Sequence, residues 1–423
     1  MGQLYATASL RHLAQRRRLG WLAQQLPQPH ADGAGLLRRL AASGAGLPLE
    51  TLGVANAQAL LLQHWATDSA PSATRAALPF AFVEAINLEL SYSCNLACSH
   101  CLQEPLRPKG ASTWLDVSTV RPLLEQAQAL QLLRRGLNLT GGEVIATGSP
   151  VLELLALAQQ LNIPTRMNTN AWWGLQQQIR VGDHCFADDA ALVGALQQRG
   201  LGRLALSLDD RYQQYPQLLE SVIRVGTLCQ LAGQAIEFVA TDAEPTLLKR
   251  VQLQLPAALI TPMEQVDIGA AQPVQQRPMR RGNVARLAAL SHCATAGFYR
   301  PRYLHVTPDG GVRSCLYAPG GGWLGNLHHQ SLIEILNAAA ANPVVQLFDS
   351  GELEAFVAEH LTPWRHLYRA LDHGCTAAAL IARLAEQLSR QQQSAAKPLY
   401  PEELEQLHRR LAREMGLEAV MQA

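Results

Sequence analysis

Residues 93–101 read SCNLACSHC, and three of these nine residues are cysteines with the spacing C-x3-C-x2-C: Cys94, Cys98 and Cys101. Thiolates are soft ligands that select zinc, copper(I) or iron–sulfur clusters. A structural zinc site needs four ligands, and no second Cys or His pair follows Cys101 at short range. Three sulfurs suit a cube of four irons, with one iron left open for a ligand. The alternative is three buried structural cysteines, since Cys is often buried.

The sequence around these cysteines alternates between strand and helix patterns. Strand patterns lie at 86–90, 137–140, 165–168, 204–208, 236–239 and 266–268. Helical patterns lie between them, for example at 116–135, 151–161 and 190–199. Strands that alternate with helices predict a parallel sheet in an α/β fold. Because functional residues collect at the carboxyl ends of such strands, we expect the cysteines to share one edge with residues 141–143, 168–170 and 207–209.

The cysteine spacing, together with the sequence that ends the second strand, resembles the radical S-adenosylmethionine (radical SAM) enzymes. Gly141, Gly142 and Glu143 match the family's GGE motif, about 40 residues after the cysteines. Thr169 and Asn170 resemble its TNG motif, although Ala171 stands in place of the glycine. A further resemblance, to the family's SxD motif, lies at Ser207 and Asp209. Read alone, these motifs are also compatible with an ordinary turn and with strand-end capping.

The resemblance implies a partial (β/α)6 TIM-like barrel over residues 83–290 and a [4Fe–4S] cluster on Cys94, Cys98 and Cys101. In the family, the open iron holds the amino and carboxylate groups of S-adenosyl-L-methionine. One electron then splits the S–C5′ bond, and the 5′-deoxyadenosyl radical abstracts hydrogen from a substrate.

The residues that the resemblance assigns to the cofactor site are Gly141, Gly142, Glu143, Asn170, Ser207 and Asp209. The residues that supply a second proton or hydrogen atom are unknown, with Asp210, Tyr212, Tyr215 and Cys185 as candidates. Cys185 and Cys229 lie in apolar or mixed contexts, so we expect both to be buried structural thiols.

Residues 291–380 form a different kind of segment. The sequence PDGG at 308–311 lies between two alternating runs and predicts a β-hairpin, followed by a helix at 331–340. Cys293, Gly310, Cys315 and the LGN sequence at 324–326 resemble the auxiliary-cluster extension called SPASM, or its shorter form, twitch. With Cys375 they imply a possible second [4Fe–4S] cluster, or a fold that has lost its cluster.

The remaining segments and the composition set broad bounds. Residues 1–82 predict a helical N-terminal region of unknown role, and 381–423 a linker followed by an amphipathic helix from Pro401 to Met415. The formal net charge of +1 argues against bulk attraction to nucleic acid. Neither a signal peptide nor an apolar run long enough to span a membrane is expected. Eight cysteines in 423 residues do not form a disulfide scaffold, which favours a cytoplasmic protein.

The resemblance therefore implies a radical SAM oxidoreductase that modifies a ribosomally made peptide or protein side chain, with a flavodoxin or ferredoxin as electron donor. The reaction type stays open. Two alternatives remain: a radical SAM enzyme acting on a small metabolite, and a non-catalytic iron–sulfur or zinc protein that senses redox state or binds a partner.

Overall fold

The computed structural model describes residues 83–263 and 303–419, together with 284, 285 and 288. Gaps within these ranges lie at 84, 99–100, 104–105, 107–112, 130–131, 134, 210–214, 242, 315–322, 340–341, 351, 370, 372–373 and 395–398. The predicted helical region at 1–82 lies outside the described residues, as do Asp210, Tyr212, Cys293 and Cys315. The proposed division into four segments therefore stays a prediction.

Six parallel strands form the centre of the fold, as the alternation of strand and helix patterns predicts. In chain order they are β1 Ala85–Glu89, β2 Gly136–Thr140, β3 Thr165–Thr169, β6 Arg203–Leu208, β7 Ala235–Thr241 and β8 Leu259–Met263. They lie side by side in that order, each parallel to its neighbours. A small antiparallel hairpin, β4 Ile179–Val181 and β5 His184–Phe186, is inserted between β3 and β6. The α/β class with a parallel sheet is thus confirmed.

Five helices connect these strands: α1 Val117–Ala129, α2 Val151–Gln160, α3 Asp189–Gln198, α4 Pro216–Leu231 and α5 Pro245–Gln254. Local signals set some of their ends. The Asp188 carboxylate caps α3 by accepting a hydrogen bond from the Ala191 N–H at 2.8 Å. The Asp116 carboxylate accepts one from the Ser118 N–H, also at 2.8 Å. The first helix ends at Ala129 and is therefore shorter than the predicted helix at 116–135.

The sixth strand was not predicted from the sequence, and the strand predicted at 266–268 stays a prediction. The sixth strand spans Leu259–Met263, whereas the predicted strand at 266–268 falls outside the described residues. Pro262 lies within this strand and lacks an N–H. The pattern of alternating apolar residues is weak in Leu259–Met263, which explains why the sequence did not indicate this strand.

The two faces of the sheet differ in chemistry. One face carries the apolar residues of each strand, such as Leu88, Leu139, Met167 and Phe238, and α4 packs against β6 and β7. The other face is polar. On it, Arg166 donates hydrogen bonds to Glu237 and to Asn138, both at 2.9 Å. Because side chains alternate along a strand, each strand contributes to both faces.

The C-terminal half extends the same sheet. Strand β9, Tyr303–Val306, pairs with β1 in parallel, and β10, Gly311–Arg313, and β11, Trp323–Asn326, follow in antiparallel order. The hairpin predicted at PDGG is confirmed, and Gly310 adopts a φ of +76° in its turn. The predicted helix at 331–340 is also confirmed as α6, Leu332–Ala339. The hairpin is therefore joined to the main sheet by a full strand pairing.

Four further α-helices follow: α7 Pro343–Ser350, α8 Leu353–Phe356, α9 Gly374–Ser394 and α10 Pro401–Glu414, with a π-helix at Val357–Leu361 and a 3-10 helix at Thr362–Leu367 between α8 and α9. Residues 375–385 of α9 are buried on every side, so this helix runs through the core. The predicted linker that follows residue 380 is in part helical, because α9 continues to Ser394. No helix among the described residues is long and apolar enough to cross a membrane.

Helix α10 docks on the body through its apolar stripe, as its sequence predicts. Leu407 and Leu411 are buried, while Glu405 and Arg409 form an ion pair of 2.6 Å on the exposed side. His408 is also buried, stacks on Trp364, and its Nδ1 lies 2.7 Å from the Tyr368 hydroxyl. Burial lowers the pKa of His408 to about 4, so the ring is neutral in the folded protein at pH 7.

We predict that His408 makes the stability of the fold depend on pH. Its pKa is lower in the folded chain, so its stabilisation is complete above pH 6.5 and is lost as the pH falls toward 4. Between pH 8 and pH 5 the wild type should lose about 2 kcal/mol more than His408→Phe, which keeps the stacking on Trp364. Urea unfolding of both metal-free proteins at each pH measures the difference, and equal pH slopes would contradict the prediction.

Candidate functional site

The three clustered cysteines lie in the loop that follows β1, at the carboxyl edge of the parallel sheet. Cys94, Cys98 and Cys101 are each partly exposed. The Cys101 N–H donates to the Cys98 carbonyl at 3.1 Å, which turns the loop back on itself. Within the described ranges, no three His, Cys, Asp or Glu side chains are placed to hold a single metal ion. A [4Fe–4S] cluster differs from a site for a single ion, because each of the three cysteine sulfurs binds a different iron of the cluster.

The Gly141–Gly142 pair brings the end of β2 against the backbone of the cysteine loop. The Gly142 N–H donates to the Ser91 carbonyl at 2.6 Å, and the Glu143 N–H donates to the Ser93 carbonyl at 2.9 Å. A Cβ on Gly142 would lie 1.8 Å from the Ser93 oxygen. Gly141 has a φ of +133°, which side chains disfavour. Both positions therefore require glycine, and the pair lets the cysteine loop pack directly against this backbone.

The Glu143 carboxylate joins the ends of β2 and β3. Its oxygens accept hydrogen bonds from the Ile145 N–H at 2.9 Å, the Thr169 hydroxyl at 2.7 Å and the Asn170 N–H at 2.9 Å. The side chain is 3% exposed. Burial raises the pKa of Glu143 to about 7, since the loss of water outweighs the hydrogen bonds that favour the charged form. The carboxylate faces protein groups, so a contact from Glu143 to a cofactor would have to come from its backbone.

Asn170 lies beside the first cysteine. Its Nδ2 donates to the Asn95 Oδ1 at 2.9 Å and lies 3.9 Å from the Cys94 Sγ. The Leu96 N–H lies 3.5 Å from the same sulfur. Residue 171, where the resemblance expects glycine, is an alanine in the left-handed conformation with φ 56°. The backbone thus keeps the geometry that a glycine would favour.

The structure brings three of the four predicted groups together: the cysteine loop, the GGE sequence and Asn170. Ser207 and Asp209 lie at the same sheet edge, at the end of β6, which is the neighbour of β3. Ser207 is partly buried and Asp209 is buried. Their assignment to a cofactor stays a prediction.

Cys185 differs from expectation. It is exposed on β5, opposite Arg180, and is not a buried structural thiol. Because Ile179 and Val181 fill the buried face of this hairpin, the alternate residues point outward. Cys229 is buried as predicted, and burial raises its pKa to about 12. Tyr215, a further candidate, is partly buried just before α4.

Cys375 is the one predicted auxiliary ligand that falls within the described residues. It lies in the first turn of α9 and is 2% exposed. Cys293 and Cys315 lie outside those residues. The second cluster therefore stays a prediction.

Sequence reasoning missed a second buried carboxylate at this edge. Glu89, the last residue of β1, pairs with Arg313 on β10, and the Tyr92 hydroxyl donates to it. Burial and the Glu89 charge raise the pKa of Tyr92 far above its usual range. The sequence signal for this carboxylate was the acidic residue in the strand sequence INLEL. A carboxylate in a buried strand loses its water and therefore needs a polar or charged partner.

No protein-family model and no curated protein matches the chain. Among solved structures, it is similar to BtrN in complex with AdoMet and 2-DOIA, at 13% identity and a TM-score of 0.38, covering 64% of this chain and 89% of BtrN. It is also similar to methylornithine synthase (PylB), at 16% identity and a TM-score of 0.32, covering 56% of this chain and 65% of that one. Both similarities are distant and concern the arrangement of strands and helices.

We predict that Gly142→Ala separates the cysteine loop from β2. The added Cβ overlaps the Ser93 carbonyl, so the free energy of unfolding should fall by more than about 2 kcal/mol. Gly194→Ala in α3 is the control, because within the described residues no atom outside its chain neighbours and its own helix backbone lies within 4 Å of the added Cβ. The control should be stabilised by up to about 1 kcal/mol, through helix propensity. Similar unfolding curves for both variants would contradict the close approach.

We also predict that the cost of Glu143→Gln depends on pH. Since the pKa is raised from 4.5 to about 7, the stabilisation is complete below pH 4.5 and is lost as the pH rises through 7. The substitution should therefore cost about 2 kcal/mol more at pH 5 than at pH 8. Urea unfolding at both pH values tests this, with Glu220→Gln on the exposed side of α4 as the control. A pH-independent cost would show that Glu143 is ionised throughout.

Proposed function

We propose that this protein is a radical SAM enzyme whose [4Fe–4S] cluster is held by Cys94, Cys98 and Cys101. The observation that carries the proposal is that a C-x3-C-x2-C loop, a GGE sequence and an Asn come together at the carboxyl edge of a parallel sheet. The three cysteines are partly exposed, and N–H groups of Leu96 and Asn170 are directed at the Cys94 sulfur, as a thiolate ligand requires. The residues present therefore fit the group.

When bound, such a cluster supplies an electron for the cleavage of S-adenosyl-L-methionine, and the organic radical formed takes hydrogen from the substrate. The chain's own residues supply position. Gly142 and Glu143 fix the start of the cysteine loop by backbone hydrogen bonds. The Glu143 carboxylate holds the end of β3, which places the Asn170 amide beside Cys94. The backbone around Gly141–Glu143, with Ser207 and Asp209, is proposed to receive the cofactor's polar groups.

The proposed substrate is a peptide or protein side chain. Support comes from the resemblance of Cys293, Gly310 and Cys315 to a SPASM or twitch extension, whose carriers often modify ribosomal peptides. A second cluster on these cysteines and Cys375 belongs to the same proposal, as do a flavodoxin or ferredoxin donor and a cytoplasmic location.

A small metabolite is the second candidate substrate. The polar face of the sheet favours it, because Asn138, Arg166 and Asn168 are partly exposed there and form a hydrogen-bonded surface. A compact polar molecule would find donors and acceptors on such a surface.

We predict the iron content of the anaerobically reconstituted protein. The wild type should hold about four irons per chain, or about eight if the second cluster forms. The Cys94/Cys98/Cys101→Ala triple variant should hold about four fewer in either case. Cys185→Ala is the control, because it removes an exposed thiol outside the loop. The wild type, reduced with dithionite, should also cleave S-adenosyl-L-methionine, and the triple variant should not.

Three outcomes separate the candidates. A wild type with no iron, or with one zinc, would contradict the radical SAM proposal. An intact cluster without cleavage of S-adenosyl-L-methionine would favour a redox sensor or a binding protein. If the wild type holds one cluster, the proposal of a peptide substrate would lose support, and a small metabolite would be an equally good candidate substrate.

A further inference from the structure

A buried ion pair connects the start of the cysteine loop to the C-terminal hairpin. The Glu89 oxygens lie 2.5 and 2.7 Å from the Arg313 Nη2, and the two side chains are 0% and 1% exposed. The residues are 224 positions apart in the chain. Glu89 ends β1, and Arg313 ends β10, two strands away in the sheet. The ion pair therefore spans β9.

A neutral histidine lies beside the ion pair, in which Glu89 and Arg313 compensate each other's charge. His305 on β9 is the register partner of both Asn87 and Arg313. Its Nδ1 lies 3.2 Å from the Asn87 Nδ2, and burial lowers its pKa to about 3, so the ring is neutral. The Trp323 ring lies 6.0 Å from the Arg313 guanidinium carbon. Loss of Arg313 would leave a buried carboxylate without its compensating cation.

Tyr92 connects the ion pair to the cysteine loop, because its hydroxyl donates a hydrogen bond to the Glu89 carboxylate. Tyr92 lies between Ser91 and Ser93, whose carbonyls accept the hydrogen bonds from Gly142 and Glu143. Cys94 follows two residues later. The loop is thus held from two sides. On one side are the backbone N–H groups that follow β2. On the other side are the linked side chains of Tyr92, Glu89 and Arg313, of which Arg313 lies on β10.

We propose that Arg313 is a positioning residue for the cysteine centre, acting through Glu89 and Tyr92, so that the C-terminal hairpin is required to form the site. The proposal rests on the proposed function only in taking the loop as the cluster site. The fixing of the loop can be measured without any cluster.

The test compares full-length Arg313→Met, Arg313→Lys and Tyr92→Phe with the wild type. Arg166→Met is the control, since it breaks another ion pair of the same sheet, with Glu237, away from the loop. The readouts are amide hydrogen exchange of residues 90–98 before reconstitution, then the midpoint potential and electron paramagnetic resonance spectrum of the reduced cluster.

We expect at least tenfold faster exchange of residues 90–98 in Arg313→Met and a smaller increase in Tyr92→Phe, with Arg313→Lys in between. Arg166→Met should exchange at the wild-type rate in this segment. The cluster in Tyr92→Phe should have a shifted potential or altered g values, although the melting temperature changes little.

Wild-type exchange and an unchanged spectrum in Tyr92→Phe would overturn the inference, even if Arg313→Met fails to fold. An equal increase in the exchange rate of residues 90–98 in Arg166→Met would also overturn it, because the effect would then be general destabilisation. A wild type that takes up no iron would contradict the proposed function alone, and the exchange comparison would still decide the role of Arg313.

Discussion

The Gly142 N–H meets the Ser91 carbonyl oxygen at 2.6 Å, and the next N–H, that of Glu143, meets the Ser93 carbonyl at 2.9 Å. These two bonds hold the loop of β1 on the end of β2. They require that no side chain stands at residue 142, where a Cβ would lie 1.8 Å from the Ser93 oxygen. The position of Cys94 relative to β3, and the contacts of Asn170 with it, follow from this close approach.

Two buried carboxylates support this edge by different physical means. Glu143 is surrounded by neutral donors: two backbone N–H groups and the Thr169 hydroxyl. Desolvation therefore dominates and raises its pKa. Glu89 is instead paired with a full cation, Arg313. The first carboxylate joins neighbouring strands of one half of the sheet, and the second joins the sheet's two halves.

The polar character of one sheet face explains how these groups are tolerated. Arg166, Glu237 and Thr261 satisfy one another across β3, β7 and β8, as Glu89 and Arg313 do across β1 and β10. Unpaired, each charge would be costly at these positions. The apolar face, with Leu88, Leu139 and Met167, carries the packing of the connecting helices, and the charged residues Glu89, Arg166 and Glu237 lie on the other face.

Local sequence determined the strand and helix order, because the apolar period of each segment fixes its type and Asp188 or Gly310 marks an end or a turn. It also predicted that Cys94, Gly142 and Asn170 meet, because parallel strands place their carboxyl ends at one edge. It could not locate β8, whose apolar pattern is weak, nor show that Cys185 is exposed. The pairing of Glu89 with Arg313 was decided by the tertiary structure, since two residues 224 positions apart become partners only when β9 and β10 add to the sheet beside β1.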